Sequence, residues 1–372
     1  MDVVISGAGI AGPALAWWLA RSGHRVCVVE RAASLRCGGQ AVDFRGRVQL
    51  GVLERMGLLE AVRERRTRMR AITIVDARGR RVSSLPVELF AGDVEILRGD
   101  LVRVLYEATR DDVDYVFGDV IVEIGGGRVR LASGGERPAD LVVGADGLRS
   151  GVRRLVFGPV EPWHLGMYSA LFTVAGSGEA GTATMFNAPG VGAALFHYEG
   201  RSVGGLDFAS PVVADPRAVL AERLAGAGWR VPELLAHALR AGDLYLDAAA
   251  QMRLARWSAG RVVLVGDAAW SPGPGGMGTG LGVVGAYVLA GELARGVEGF
   301  AGRYEAAMRP YVEVCQKQAQ GSAAFLVPGT RRAIWGRNQM FRMVPYVPWR
   351  GVVRWMATKT AEKVSLADYA PG

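Results

Sequence analysis

The chain has 372 residues, half of them hydrophobic, with 52 glycines and a formal net charge of +8. Such a composition excludes a disordered or low-complexity chain and predicts a folded protein of two domains, or one with an elaborate insert. The charge is local: residues 331–372 hold six Arg and two Lys against Glu362 and Asp368, and no nucleic-acid-binding module accompanies them.

The first element is the apolar run Asp2–Ser6, followed by Gly7-Ala8-Gly9-Ile10-Ala11-Gly12 and a helix predicted from about Ala11. Gly23 is placed to end that helix, and Val26–Val29 reads as a second strand that delivers Glu30 about 20 residues past the glycines. This is the dinucleotide-binding fingerprint in its full context. The first glycine permits the turn, the second lets amides approach a diphosphate, and the third lets helix and strand pack closely. The helix N-terminus faces the anion with its unpaired amides. An acid at Glu30 suits the ribose hydroxyls. The apolar start of the chain resembles a signal peptide only superficially, since it lacks a basic flank and carries Asp2 and the glycines.

Residues 38–46 read as a loop and Val48–Met56 as a helix. Strands are predicted over 71–75 and from Val82, with a turn at 78–80, then a helix over 101–109. A β-meander is expected from Tyr115–Phe117 through Val120–Ile124 and Val129–Leu131 to Asp140–Gly144. Residues 166–210 look like four more strands, 216–226 and 232–240 like helices, and 243–252 like a strand. The unbroken apolar run Arg261–Gly266 predicts a buried parallel strand ending in Asp267, with a helix over 281–293 beyond a Gly/Pro loop. The nucleotide domain is therefore expected to be discontinuous, comprising 1–70, 98–162 and 253–325. A β-rich domain of 71–97 and 163–252 is inserted in it, and 326–372 forms a C-terminal helical segment.

Cys27, Cys37 and Cys315 form neither a disulfide framework nor a zinc pattern, and His24, His164, His197 and His237 show no ligand spacing. The expectation is a metal-free protein of a reducing cytoplasm. An acid at the end of a buried strand, such as Asp267, suits a polyol contact.

Three further motifs follow the fingerprint in order: Ile96-Leu-Arg98-Gly-Asp-Leu101, Val143-Gly-Ala-Asp146-Gly-Leu-Arg-Ser150 and Gly266-Asp267-Ala-Ala-Trp-Ser-Pro-Gly-Pro-Gly-Gly-Met-Gly278. With them the whole chain resembles the class A, single-component FAD-dependent monooxygenases of the p-hydroxybenzoate-hydroxylase-like superfamily, nearest the tetracycline-inactivating branch. The resemblance implies an α/β, Rossmann-like FAD-binding domain with an inserted β-sheet substrate domain and a C-terminal helix. It implies non-covalent FAD, NADPH or NADH as transient co-substrate, and O₂. The family's reaction runs through a flavin C4a-hydroperoxide that oxygenates a small aromatic or polyketide-type compound.

By the same resemblance, Gly7, Gly9, Ile10, Ala11 and Gly12 hold the diphosphate, Glu30 the adenosine ribose, and Arg31 lies by the adenosine. Arg98 reaches toward the flavin or ribityl chain, and Asp146 lies in a loop serving both FAD and NAD(P)H. Asp267 meets the ribityl or diphosphate, and Pro274, Gly276, Met277 and Gly278 line the flavin ring. The inserted sheet would roof the flavin, with Met185, Phe186, Phe196 and Tyr198 as candidate substrate contacts and Arg45 as a candidate flavin-side cation. No residue is assigned as catalytic acid or base, since the cofactor carries the hard chemistry.

Two departures stand out: Trp270 replaces the family's His or Tyr, and the segment 274–278 is one residue shorter. The shorter loop motivates a second reading, a flavoprotein of the same fold whose FAD is structural or assists a cyclisation without NAD(P)H. A third reading makes the basic tail, with Trp335, Phe341, Trp349, Val352, Val353, Trp355 and Met356, an interfacial helix. Pro345 and Pro348 break that stripe and favour a helix packed on the protein. A monomer or weak dimer without membrane insertion is expected.

Overall fold

The computed structural model describes residues 1–36, 38–85, 87, 91–176, 178–343 and 366–369. One layer is a six-stranded sheet in the order Ser258–Ala259, Val262–Leu264, Leu141–Gly144, Asp2–Ser6, Arg25–Glu30, Asp114–Phe117. All neighbours are parallel except the short first pair. Its inner strands are continuous apolar runs because both faces are covered, and Val4, Ile5, Val28, Val142 and Val263 are buried. Helix Ala11–Arg21 packs on Gly278–Ala294, which packs in turn on Phe300–Ala319. Gly278–Ala294 is apolar all round because it runs through the core, with nearly every residue buried.

The expected meander divides differently. Its first and last strands, Asp114–Phe117 and Leu141–Gly144, belong to the parallel sheet. Only Ile121–Gly125, Arg128–Leu131 and Glu136–Pro138 form a separate antiparallel sheet. Alternation alone does not say which sheet a short strand joins. The expected loop 38–46 also contains a strand, Ala41–Phe44, which pairs antiparallel with Val94–Leu97. Its partner lies some fifty residues away, so nothing local announces the pairing.

The second layer is a seven-stranded sheet in the order Tyr245–Gln251, Trp163–Val174, Arg201–Ala209, Val191–Tyr198, Thr182–Ala188, Ala71–Val75, Arg81–Leu85. Helices Pro216–Leu224 and Val231–Ala238 cover one face. Leu220, Leu224, Val231 and Leu234 pack there against Tyr168, Phe172, Leu206 and Phe208. The first of these helices starts by ordinary capping: Asp215 accepts from the Arg217 and Ala218 amides, both at 3.0 Å, with Pro216 in the first turn. The other face looks toward the parallel sheet.

Helix Arg331–Met343 packs on the far strands of the second sheet, burying Phe341 and leaving Trp335 exposed. Residues 366–369 are not helical. Tyr369 lies along Gly278–Ala294, donating from its hydroxyl to Glu292 at 2.6 Å. Cys37, Pro345, Pro348, Trp349, Val352, Val353, Trp355 and Met356 lie outside the described residues. Among the described residues, no helix is long and apolar enough to cross a membrane.

Candidate active site

The glycine loop contains glycines of two kinds. Gly7 takes φ +107°, and a β-carbon there would stand 2.5 Å from the Ala145 carbonyl oxygen. One at Gly12 would stand 2.0 Å from the Gly7 oxygen. These two exist for the turn and for packing. Gly9 is different: only the Arg98 guanidinium, at 3.7 Å, stands in front of it. Helix Ala11–Arg21 begins behind Ile10, which supplies no side-chain cap, so its first amides are left for an anion. The loop is a cradle walled by backbone and open at Gly9.

Glu30 ends its strand beside this cradle and accepts from the amides of Ala8 at 2.8 Å and Ala32 at 2.9 Å. The acid is fastened to the glycine loop itself. Arg31 is exposed next to it. Arg98 opens helix Arg98–Glu107, donates its amide to Gln40 O at 3.0 Å and lays its stem along Gly39, where φ is +117°. That close approach carries its guanidinium back over Gly9.

Asp267 does not end a strand. The strand stops at Leu264, Gly266 turns with φ +65°, and Asp267 is the first residue of the short helix Asp267–Trp270. The carboxylate is exposed and stands at the start of Gly278–Ala294, 3.7 Å from where a Gly278 β-carbon would be. Surrounding protein pushes its pKa up, while the Arg98 charge and a hydrogen bond from Ser271 pull it back. An acid that keeps accessible surface yet is desolvated lines the floor of a cleft.

In the loop beyond, Pro274 is partly exposed, but Gly276 backs into the core. A β-carbon at Gly276 would meet Pro272 Cβ at 2.6 Å and Cys315 O at 3.0 Å. Met277 is left-handed at φ +56° and immediately precedes the helix beginning at Gly278. Its sulfur accepts from Gln49 Nε2 at 3.8 Å. Gln49, fully buried, also donates to the Tyr311 hydroxyl at 2.9 Å and accepts from the Arg45 amide at 2.8 Å. It fits because Gly280 has no β-carbon, which would lie 2.2 Å from Gln49 Oε1. Sequence reasoning missed Gln49. Its signal was a polar residue at a core position of the helical stripe 49, 52, 53, 56.

Trp270 turns away from the cleft. It is buried against Trp257 at 4.6 Å and Tyr304 at 5.8 Å, over Gly285. The Asp146 carboxylate is engaged locally, accepting from Ser150 Oγ at 2.5 Å and from the amides of Gly151 and Val152 at the start of helix Gly151–Phe157. It shapes the loop that closes on Gly7. Arg45 is ion-paired with Asp43 and immediately precedes helix Gly46–Arg55.

The roof candidates divide. Met185 and Phe186 are consecutive in one strand and so face opposite ways. Phe186 packs with Tyr168, Leu206 and Phe208 beneath the helices, on the side away from the cleft. Met185 and Phe196 share the other face, Met185 packing with Ile72, Ile74 and Phe341. Phe196 and Tyr198 stack at 6.2 Å. Tyr198 reaches the Ala41 backbone and the Glu95 charge of the two-stranded ribbon, and its burial raises its pKa. At the sheet's edge Arg149 bridges to Asp247 at 2.6 Å, and the neighbouring Tyr245 feels the Asp267 charge. The roof thus faces the cradle.

Residues 1–177 match the family model described as FAD binding domain. The chain is 43% identical over 343 residues to the uncharacterized protein Rv1260 of Mycobacterium tuberculosis, covering 84% of this chain and 90% of the relative. It is 35% identical over 327 residues to the FAD-dependent monooxygenase asL4 of Sarocladium schorii, covering 79% and 76%. The chain belongs to the FAD-dependent monooxygenases. Among solved structures, the tetracycline destructase Tet(55) superposes with a TM-score of 0.83 at 30% identity, over 99% of this chain and 98% of that one. Tet(51) gives 0.82 at 29%, over 99% of each. The monooxygenase is of the class A type and binds FAD. The cradle fits that cofactor: backbone walls it at Gly7 and Gly12, Gly9 faces only the Arg98 guanidinium, an acid is fixed to the loop at Ala8, and the accessible Asp267 carboxylate lies in the field of Arg98.

Proposed function

We propose that this monooxygenase holds FAD non-covalently and uses NAD(P)H and O₂ to oxygenate a small aromatic or polyketide-type compound. The carrying observation is the pairing of the open cradle at Gly9 with a sheet face across a cleft floored by Asp267 and Arg98. Bound FAD supplies the redox chemistry: two electrons come from NAD(P)H, one oxygen atom of O₂ goes to the substrate and the other leaves as water.

The chain's own residues hold and orient. The amides around Gly9 and the start of Ala11–Arg21 neutralise the diphosphate. Glu30 accepts from the ribose hydroxyls, and Asp267 from the ribityl chain. Helix Gly278–Ala294, whose N-terminal approach Gln49 fixes through Met277, would offer its positive end to the part of the bound flavin that gains negative charge on reduction. The roof excludes water from the reacting faces.

Purified protein should be yellow, with one FAD per chain released by acid. NADPH oxidation should accelerate with some member of a panel of tetracyclines, other polyketides, indoles and phenols. A colourless preparation that ignores added FAD overturns the reading. Absence of flavin reduction by both NADPH and NADH overturns the oxygenase part of it.

A further inference from the structure

Among the described residues, Asp247, Asp267 and Asp207 face the cleft, and the first two have a cation. Asp247 holds Arg149 at 2.6 Å, and Asp267 lies in the field of Arg98. Asp207 has only a hydroxyl: Ser169 Oγ donates to its Oδ1 at 2.5 Å, and no Arg, Lys or His of the described residues forms an ion pair with it.

Strand register fixes where Asp207 points. Asp247, Ser169, Asp207 and Gly192 stand opposite one another across four strands, with Tyr245, Leu171, Gly205 and Ala194 forming the next row on the same face. Leu206 and Phe208, on either side of Asp207, point into the helix-covered core. Asp207 therefore looks into the cleft, two strands from Asp247, the acid that holds Arg149, with adjacent strands about 4.8 Å apart. On one side of it, at Gly192, the chain at Leu326 covers the sheet, where a β-carbon would stand 2.5 Å from the Leu326 carbonyl oxygen; on the other side, at Gly205, the surface is hollow. A β-carbon at Gly205 would touch only the sheet neighbours Leu171 and Ala194, at 3.6 Å and beyond. Asp207 is partly exposed, yet surrounding protein pushes its pKa up to about 6. A desolvated carboxylate without a countercharge gains most from a cation, which restores its ionised form and satisfies its free oxygen. The apolar Leu171 and Phe196 on the same face suit a ring system lying over Gly205.

We propose that Asp207 is the anchor for a protonated amine of the substrate, whose rings lie across the Gly205 hollow. The inference rests on the monooxygenase reading for the flavin that the substrate meets. It adds the substrate class, amine-bearing ring compounds.

The test is equilibrium binding to the FAD-loaded protein, read by the flavin absorbance change, with paired probes. The pairs are tetracycline and its 4-de(dimethylamino) analogue, tryptamine and 3-ethylindole, and tyramine and 4-ethylphenol. In at least one pair the amine should bind about tenfold more tightly, and Asp207→Asn should bring that pair to within about twofold, as expected for loss of one charge-assisted contact. No amine preference in any pair of the wild type overturns the proposal, whether or not the variant folds. A preference that survives in a folded Asp207→Asn protein also overturns it. Flavin content and NADPH-driven reduction of the same preparations test the monooxygenase reading separately.

Discussion

The glycine loop and the sheet roof both face the cleft, but they are specified in different ways. The loop works through backbone, and its side chains are constrained mainly by being absent: Gly7 and Gly12 because neighbouring chain occupies the space, and Gly9, on the proposed reading, because the diphosphate would need it. The roof works through side chains on one face of a twisted sheet, where alternate residues belong to a different core. A loop of the first kind tolerates almost no substitution. A roof of the second kind can change its chemistry one residue at a time and keep its fold.

The sharpest way to break that contrast is to separate the two sorts of glycine. Gly12→Ala forces a β-carbon onto the Gly7 oxygen, 2.0 Å away. It should cost about 3 kcal/mol or more of stability, read as a fall in the melting temperature of the flavin-free protein. Gly9→Ala meets nothing closer than the Arg98 guanidinium, so it should leave that temperature within the change expected for about 0.5 kcal/mol. FAD affinity, measured by fluorescence titration, should still fall. Equal destabilisation by both variants would show that Gly9 is packed like Gly12.

The next largest effects belong to the acids that flank the cradle. Glu30→Ala should weaken FAD binding by about 1.5–3 kcal/mol, the scale of charge-assisted hydrogen bonds. Because Glu30 also holds the Ala8 and Ala32 amides, Glu30→Gln should recover part of the affinity. Asp267→Ala should lower flavin content and slow reduction in stopped flow, and Asp267→Asn should be milder. Unchanged flavin loading in the Asp267→Ala protein would confine that acid to the turn at Gly266.

The same contrast explains what could be read from the chain alone. The loop, the two strands around it, Glu30, Arg98 and the long helix after Gly278 lie in order along the sequence, because backbone turns need particular residues at particular spacings. Gln49 stands out only as a polar residue in an apolar helical stripe, and its role is not legible because its partners, Tyr311 and Met277, are more than two hundred residues away. Asp267 was placed at a strand end because an apolar run does not mark where the ladder stops, and the strand ends three residues earlier. The resemblance offers Phe186 beside Met185 as a roof contact, but consecutive strand residues cannot share a face. Asp207 carries no local signature at all. Its isolation depends on register with Ser169 and Asp247, which only the assembled sheet supplies.

Asp207 also gives the smallest effect, and one of opposite sign to the others. A site built for a ligand is often less stable than it could be, and an unpaired carboxylate is a direct way to arrive there. Burial pushes the Asp207 pKa up from 3.8 to about 6. The folded chain thus binds a proton more readily than the unfolded chain does, and between those values protonation favours folding. The contribution is fully present below that ordinary value of 3.8 and is lost as pH rises through 6, so at pH 7 the ionised group weighs against the fold. Asp207→Asn removes the charge and keeps a side chain that can accept from Ser169. It should therefore stabilise the flavin-loaded protein at pH 7 by on the order of 1 kcal/mol, an advantage that shrinks as pH falls below 6. Thermal unfolding of both proteins from pH 5 to pH 8 measures it. A variant less stable than wild type at pH 7, or a gain that does not vary with pH, would mean that Asp207 already has a satisfying partner in the folded protein.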